Sequence, residues 1–259
     1  MVRFFVSLAM AVSMFSVIPV PRFEWKKENM TYMLANLPFV GIIVLAAVSL
    51  WVFISESLMI GGILNAVMLT VIPLLVSGGI HMDGYLDTHD AIASYGDQEK
   101  RREILKDPHL GTFAVVWAIV YVLLYFGAVS EIGWNMDKAM ILGMTAIISR
   151  AIGSFCTLNI HSYGSGFSAM LSSASDKRIS NIIVLVYFAA SVGIIAVFDP
   201  ALSVLMLIIS VISVLALRGI AYKYFGGMSG DLAGYVIQLS SLLMVLAWAI
   251  FEKAGVSVL

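Results

Sequence analysis

Apolar residues run along this chain in long blocks that are separated by short polar segments. Seven blocks are long enough, or nearly so, to cross a bilayer as helices, which need about 17 to 25 residues. Their approximate bounds are 33–55, 58–78, 111–130, 138–160, 181–198, 200–217 and 233–251. The pattern therefore predicts an all-α bundle of about seven transmembrane helices.

A shorter apolar block opens the chain, and it is close to a secretory signal peptide in length and charge. Pro19 and Pro21 follow this block, where small residues would mark a cleavage site. We therefore expect a short N-terminal helix that is retained and lies in the membrane interface or enters the bilayer only in part.

Composition supports a polytopic membrane protein, because 61% of the residues are hydrophobic, 12% are charged and the mean hydropathy is +0.98. The longest polar stretch, 81–109, is too short for a second, soluble domain, so residues 1–259 are predicted to form a single integral membrane domain. A net charge of −1 without a basic stripe argues against nucleic-acid binding. Cys156, the single cysteine, can form neither an internal disulfide nor a thiolate metal site.

Basic residues are concentrated in alternate connecting segments. Eleven lysines and arginines fall in one set of segments, whereas only Lys138 and Lys253 fall in the other. By the positive-inside rule, the basic set is expected on the cytoplasmic side of the cell (inner) membrane. These segments are 19–32, 79–110, 161–180 and 218–232. The polar motifs described next lie in them, so an active site is predicted at the cytoplasmic side.

Three aspartates, Asp83, Asp87 and Asp90, lie in the segment GGIHMDGYLDTHD at 78–90. At about 100° per residue they share one helix face within an arc of roughly 60°. Crowded carboxylates repel one another, and a hard divalent cation relieves that repulsion. Mg²⁺ is the ion that phosphate chemistry usually recruits. A solvated acidic turn at a helix end is the alternative.

Two other metal ions fit this segment less well. His81 and His89 are eight residues apart, which is not the compact spacing of a zinc site. A calcium-binding loop needs oxygen ligands at alternate positions and a closing glutamate, which the segment lacks. Mg²⁺ is therefore the predicted ion.

A second glycine pair precedes another aspartate near the end of the chain. GGMSGD at 226–231 and GGIHMD at 78–83 both begin with two glycines. In both, an aspartate follows four residues after the second glycine. Paired glycines let a helix end or let two helices approach closely. Asp231 is either a first-turn acid, which the helix dipole favours, or a fourth ligand of the metal site.

Cations and glycines elsewhere supply candidate phosphate contacts. Arg150 falls within an apolar block, where a charge costs about 2.5 to 3.5 kcal/mol, so it is expected to pair with a carboxylate or to reach an anionic phosphate. Lys106 offers a point charge, and Gly164 and Gly166 would let the backbone approach a bulky ligand. A solvated lysine and ordinary turn glycines are the alternatives.

Taken together, these segments resemble the cobalamin synthase family, also called adenosylcobinamide-GDP ribazoletransferases. The resemblance covers nearly the whole chain and rests, in order, on FSVIPVP, GGIHMDGYLDTHDA, LKDPHLGTF, SRAIG and GGMSGDLAG. The aspartate-rich stretch is the specific part. Ala91, Pro108 and Ala114 stand where the family usually has glycine, serine and glycine, which affects loop shape more than chemistry.

The resemblance implies a multi-pass membrane enzyme that uses Mg²⁺ to join adenosylcobinamide-GDP to α-ribazole, or to its 5′-phosphate, with release of GMP. The implied metal ligands are Asp83, Asp87, Asp90 and Asp231, and the implied catalytic residues are His81, Asp83 and Asp87. His81 is the predicted proton acceptor, with an aspartate as the alternative. The implied substrate contacts are Lys106, Asp107, Arg150, Gly164, Gly166, Ser229 and Gly230. Whether the chain works as a monomer or as a homo-oligomer stays open.

Two other functions are compatible with parts of the pattern. A membrane prenyltransferase also holds Mg²⁺-diphosphate on aspartates at helix ends, but it normally has two aspartate-rich clusters, and here the later segment offers only Asp231. A secondary transporter could line a pathway with Arg150 and Asp231. Transporter sites lie near the midplane, whereas the acidic residues here gather at one surface, so ribazole transfer is the favoured prediction.

Overall fold

The computed structural model describes residues 2–255, in which the regular elements are all helices, as predicted. Helices in this range are α1 Val2–Phe15, α2 Lys27–Met30, α3 Leu37–Ser57, α4 Gly62–Val76, α5 Ile80–Ala93, α6 Gln98–Ile104, α7 Thr112–Glu131, α8 Met136–Asn159, α9 Phe167–Ala174, α10 Lys177–Phe198, α11 Pro200–Ile220 and α12 Gly230–Lys253. A π-helical turn, Ala221–Phe225, continues α11.

Six helices in the described range are long and apolar enough to cross a membrane: α3, α7, α8, α10, α11 with its π-helical turn, and α12. A seventh span is counted if α4 and α5 are taken together, although the two are bent by 91°. The 15 residues of α4 extend only about 22 Å, short of the ~30 Å hydrocarbon layer. The prediction of a multi-pass helical membrane protein with a short N-terminal helix is confirmed, with one span shorter and more sharply bent than predicted.

The bend between α4 and α5 has a local cause. Gly78 and Gly79 have φ values of +62° and +80°, in the left-handed region that side chains rarely adopt. The first glycine pair therefore ends α4, which is one of the two roles that the sequence left open, and directs α5 at nearly a right angle to α4.

The helix α8 lies at the centre of the bundle and is buried along almost its whole length. It packs closely on α3 through small residues: a Cβ atom added to Gly41 would lie 2.6 Å from the Cα of Ile147, and one added to Gly143 would overlap Leu45. Small residues are what allows such close approach where lipid offers no hydrophobic driving force. By contrast, α7 and α10 keep much of their apolar surface exposed, as lipid-facing helices do.

The two ends of the bundle differ in charge. We call one end the acidic end after its cluster of Asp83, Asp87, Asp90 and Asp231, although most of the basic residues lie at this end too. At the opposite end, Lys138 and Lys253 form ion pairs of 2.6 Å with Glu252 and 2.9 Å with Glu131. Both lysines of the sparsely basic side are thus neutralised, and the excess of basic residues lies at the acidic end.

Candidate functional site

The aspartates of α5 lie on one helix, as their spacing predicts. Asp83 is exposed, whereas Asp87 and Asp90 are partly buried. The carboxylate of Asp87 is close enough to those of Asp83, Asp90 and Asp231 for mutual electrostatic repulsion. Within residues 2–255, no lysine, arginine or histidine forms an ion pair with any of these four carboxylates. Acidic side chains from two separate segments therefore meet without a protein counter-charge.

Asp231 enters this cluster from the first turn of α12. The N-cap of the helix is Ser229, whose side chain accepts a hydrogen bond of 3.3 Å from the backbone N–H of Leu232. The Ser229 hydroxyl also donates to a carboxylate oxygen of Asp231 over 3.4 Å. Asp231 is thus a first-turn acid, as one of the two sequence interpretations predicts, and it also lies beside the α5 aspartates.

Two glycines bring α5 and α12 together. A Cβ atom added to Gly84 would lie 2.6 Å from the carbonyl oxygen of Asp231, and one added to Gly234 would lie 2.9 Å from that of His81. The helix backbones therefore touch where a side chain on either glycine would separate them. This contact sets the relative position of Asp83 and Asp231.

A polar cavity of about 680 Å³ opens beside Asp231 at the acidic end. It is bounded by α6, by the loop before α9 and by the start of α12. Six residues predicted from the sequence line it: Lys106, Gly164, Gly166, Ser229, Gly230 and Asp231. Residues that are far apart in the chain thus form one candidate phosphate-binding region.

Backbone and side-chain hydrogen bonds hold the walls of the polar cavity in place. The Arg102 guanidinium donates to the carbonyl oxygen of Phe225 at 2.6 Å, and this bond fixes α6 on the π-helical turn. The loop before α9 is fixed by its pairing with Met228, whose N–H donates to His161 at 2.8 Å and whose carbonyl oxygen accepts from Tyr163 at 3.3 Å. A π-helical turn at such a place is a common feature of functional sites.

Sequence reasoning missed several residues of the polar cavity, among them the charged residues Glu99, Arg102 and Glu103, and Tyr163. The Arg102 guanidinium lies 4.7 Å from the centroid of the Tyr163 ring, which orients a cation at the cavity wall. Burial raises the pKa of the Tyr163 phenol, so it stays a neutral hydrogen-bond donor near neutral pH. Arg102 is one of several charged residues on a short helix, and no spacing distinguished it from its neighbours.

A smaller, mostly apolar cavity of about 210 Å³ adjoins the polar one. The two share Phe167, Ser168, Gly230 and Asp231, and the smaller is also lined by His81 and Asp83. We call it the apolar cavity. It places the predicted proton acceptor, His81, beside two of the predicted metal ligands, Asp83 and Asp231.

His81 is only 4% exposed, and its Nε2 atom has no hydrogen-bond partner among the described residues. A protonated imidazole there would lie among apolar side chains and near the positive charge of Arg150. Burying a charge in that way is costly. The structure therefore favours the alternative prediction, an aspartate, as the group that accepts a proton.

Two predicted acidic residues contact groups outside the two cavities. The Asp90 carboxylate lies against Gly111 at the start of α7, where an added Cβ atom would overlap it. Asp107 is exposed and accepts a hydrogen bond of 3.0 Å from the backbone N–H of His109. This bond, together with one from the His109 ring, lowers the pKa of the Asp107 carboxyl. Asp107 does not line the polar cavity.

Arg150 lies nine residues, or about 13 Å along the helix axis, before Asn159, where α8 reaches the acidic end of the bundle. It is 4% exposed, and its guanidinium donates to the carbonyl oxygen of Ala146 at 3.0 Å. No carboxylate within residues 2–255 forms an ion pair with it, and it lines neither cavity. The structure therefore does not bring Arg150 together with the other predicted substrate contacts.

The donor set of the acidic cluster suits a hard divalent ion that is shared with a ligand. Among the described residues, no three acidic, imidazole or thiol side chains are close enough to enclose a metal ion by themselves. Mg²⁺ is usually held by one or two carboxylates together with water and substrate phosphates, not by a complete protein cage. Carboxylates without an ion-pair partner in the described range fit that arrangement, since they lie beside a cavity that is lined by Arg102 and Lys106. Glu99 and Glu103 line the same cavity.

Comparison with known proteins gives one family. Residues 7–249 match the family model described as cobalamin-5-phosphate synthase. A protein of Lachnoclostridium phytofermentans named adenosylcobinamide-GDP ribazoletransferase is 39% identical over 95% of this chain and 94% of its own length. A protein of the same name from Clostridium botulinum is 30% identical over 97% of this chain and all of its own length. No solved structure matches.

Proposed function

The chain belongs to the cobalamin-5-phosphate synthase family, and from that membership we propose how its residues carry out ribazole transfer to adenosylcobinamide-GDP. A ribose hydroxyl of α-ribazole, or of its 5′-phosphate, attacks the phosphorus that carries cobinamide. The new bond is oxygen to phosphorus, the diphosphate bond breaks, and GMP leaves. The observation that supports this most is that Asp83, Asp87 and Asp231 lie near enough to repel one another, beside a cavity that Lys106 and Arg102 line.

The carboxylates have two roles in this proposal. One or two carboxylates of the group Asp83, Asp87 and Asp231 would hold Mg²⁺ together with the substrate diphosphate and water, with Asp90 at the edge of the cluster. The ion, when bound, would supply positive charge to the diphosphate oxygens. Asp83 is the exposed member of the group and lines the apolar cavity. We assign to it the acceptance of the hydroxyl proton, which then passes to solvent. Positioning and charge are the main contributions that a protein makes to phosphoryl transfer.

The polar cavity binds the leaving group in this proposal. Lys106 and Arg102 offset the charge that develops on GMP, and Tyr163 donates a hydrogen bond from a neutral phenol. Gly164 and Gly166 leave room for the backbone to approach the nucleotide. Ser229 and Gly230 present the N-terminus of α12 to the same region, where backbone N–H groups favour anions.

Purified full-length protein mixed with adenosylcobinamide-GDP and α-ribazole in the presence of Mg²⁺ tests the activity. The proposal expects GMP and the joined corrinoid to form in equal amounts. Failure to form either product with both α-ribazole and its 5′-phosphate would refute it, and ion flux in liposomes without any product would favour the transporter alternative.

The substitution Lys106→Ala is expected to raise KM for adenosylcobinamide-GDP about ten-fold, the loss of one charge-assisted contact to phosphate. The KM for α-ribazole should stay unchanged, because Lys106 is proposed to contact the diphosphate of the other substrate. Lys177→Ala is the matched control, since it removes the same charge from the same end of the bundle away from both cavities. Steady-state kinetics with each substrate varied in turn make the measurement, and equal KM values in both variants would remove Lys106 from the site.

The acidic end faces the cytoplasm in this proposal, which rests on the eleven basic residues at that end against two paired lysines at the other. Cys156 is the single cysteine of the chain, so a Cys156→Ser background has no thiol until one is introduced. The residue is also buried, which shields it from the label in any case. On intact cells, a membrane-impermeant maleimide is expected to label Met59→Cys, which is exposed at the opposite end, but not Tyr95→Cys at the acidic end. The reverse labelling would show the opposite orientation.

A further inference from the structure

We propose that the apolar cavity binds the planar aromatic base of the ribazole nucleoside, and that His81 forms a hydrogen bond with a ring nitrogen of that base. This inference rests on the proposed ribazole transfer and assigns one of its two substrates to one of the two cavities. It also gives His81 a role in recognition and leaves proton transfer to the carboxylates.

The size and walls of the apolar cavity suit a small aromatic group. Its volume of about 210 Å³ is below the ~300 to 1,000 Å³ of sites that hold a whole drug-sized ligand. It is larger than a cavity of about 150 Å³ that binds benzene in another protein. Apolar side chains form most of the wall: Met14, Phe15, Leu34, Leu37, Leu171 and Ile237. A fused two-ring base is larger than benzene and smaller than a drug-sized ligand, so its size matches the volume of this cavity.

His81 is the buried polar group of this cavity that lacks a partner. Its Nε2 atom is enclosed without a hydrogen bond, and its ring lies nearly parallel to that of Phe15, with centroids 6.1 Å apart. A buried polar atom left unpaired costs roughly 1 to 3 kcal/mol, which a ligand that supplies the partner recovers. A neutral imidazole carries one N–H donor and one acceptor, and a benzimidazole base that is bound to ribose through one nitrogen has its second nitrogen free to accept.

The position of the cavity agrees with the chemistry. Asp231 and Gly230 border both cavities, and Asp83 borders the apolar one. A base in the apolar cavity therefore puts its ribose beside Asp83 and Asp231, where the hydroxyl proton is to be accepted. The diphosphate of the second substrate would occupy the polar cavity, on the other side of Asp231.

Equilibrium binding to the full-length protein tests this without any turnover. The ligands are α-ribazole, GMP as the leaving half of the other substrate, and ribose 5-phosphate, which lacks the base. His81→Phe keeps a ring and removes its nitrogens, and Ala233→Leu extends a side chain into the apolar cavity. Ala190→Leu makes the same exchange at an exposed position of α10 and is the matched control.

Both cavity variants are expected to bind α-ribazole about ten-fold more weakly, or worse, and to bind GMP and ribose 5-phosphate as the wild type does. Ala190→Leu should change none of the three affinities. Unchanged α-ribazole affinity in both cavity variants would overturn the inference, as would weakened GMP binding, which would place guanine in the cavity instead. Should Ala233→Leu fold poorly, His81→Phe decides alone. Wild-type protein that shows this base-dependent binding but releases no GMP would refute ribazole transfer and leave the cavity assignment standing.

Discussion

Replacing Asp83 by asparagine is expected to slow GMP release about 100- to 1,000-fold or more, in the range seen when one preorganised electrostatic group is removed from an active site. The exchange removes a negative charge that we propose both helps to hold Mg²⁺ and accepts the hydroxyl proton. Asparagine keeps the shape of the side chain. Single-turnover measurements with both substrates saturating give the rate of the chemical step.

The fold should survive Asp83→Asn. Asp83 is exposed, and its side chain forms no hydrogen bond or ion pair with another described residue, so thermal unfolding is expected to match that of the wild type. Asp137→Asn, at the opposite end of the bundle, is the matched control and should leave the rate unchanged. A rate within a few-fold of the wild type for Asp83→Asn would show that the metal and proton-acceptor assignments are wrong.

Replacing Gly84 by alanine is expected to remove most of the activity and to destabilise the protein by about 1 to 3 kcal/mol, as overpacking does. The added Cβ atom would lie 2.6 Å from the carbonyl oxygen and 2.9 Å from the Cα atom of Asp231. Backbone atoms of a packed helix cannot turn aside as the end of a flexible side chain does. Helices α5 and α12 must therefore move apart, which separates Asp83 from Asp231.

Gly127→Ala in α7 is the control for this exchange, because an added Cβ atom there meets nothing within 4 Å. Alanine is the better helix former by about 1 kcal/mol, so this variant should be as stable as the wild type or more so, with full activity. Unfolding by heat and GMP release, measured on the same preparations, distinguish the two variants. If Gly84→Ala unfolds and reacts like the wild type, the close α5–α12 contact does not position the carboxylates.

Much of the fold follows from the sequence because lipid imposes simple rules. Apolar length predicts the helices, since every backbone polar group in hydrocarbon must be satisfied within the helix. The spacing of Asp83, Asp87 and Asp90 predicts a shared face from helical geometry alone. The glycine pair at 78–79 indicates either a helix end or a close approach of two helices, and its positive φ values agree with the helix end. These are local properties, which sequence patterns report well.

The parts of the site that sequence did not predict depend on packing between distant segments. Arg102 reaches the cavity because α6 docks on the π-helical turn more than a hundred residues later in the chain. The position of Asp90 against Gly111 depends in the same way on how α5 meets α7. The environment of His81 is set by side chains from α1, α3 and α12. A residue's type suggests its chemistry, but its neighbours decide which role it can take.

The central claim is that the acidic cluster holds Mg²⁺ against a diphosphate bond. The most direct test follows GMP release by purified protein while free Mg²⁺ is removed with a chelator and then restored. Wild-type activity is expected to disappear and to return with the ion, whereas Asp83→Asn is expected to stay at its much lower rate when the ion is restored. An undiminished rate in the presence of the chelator would contradict this claim.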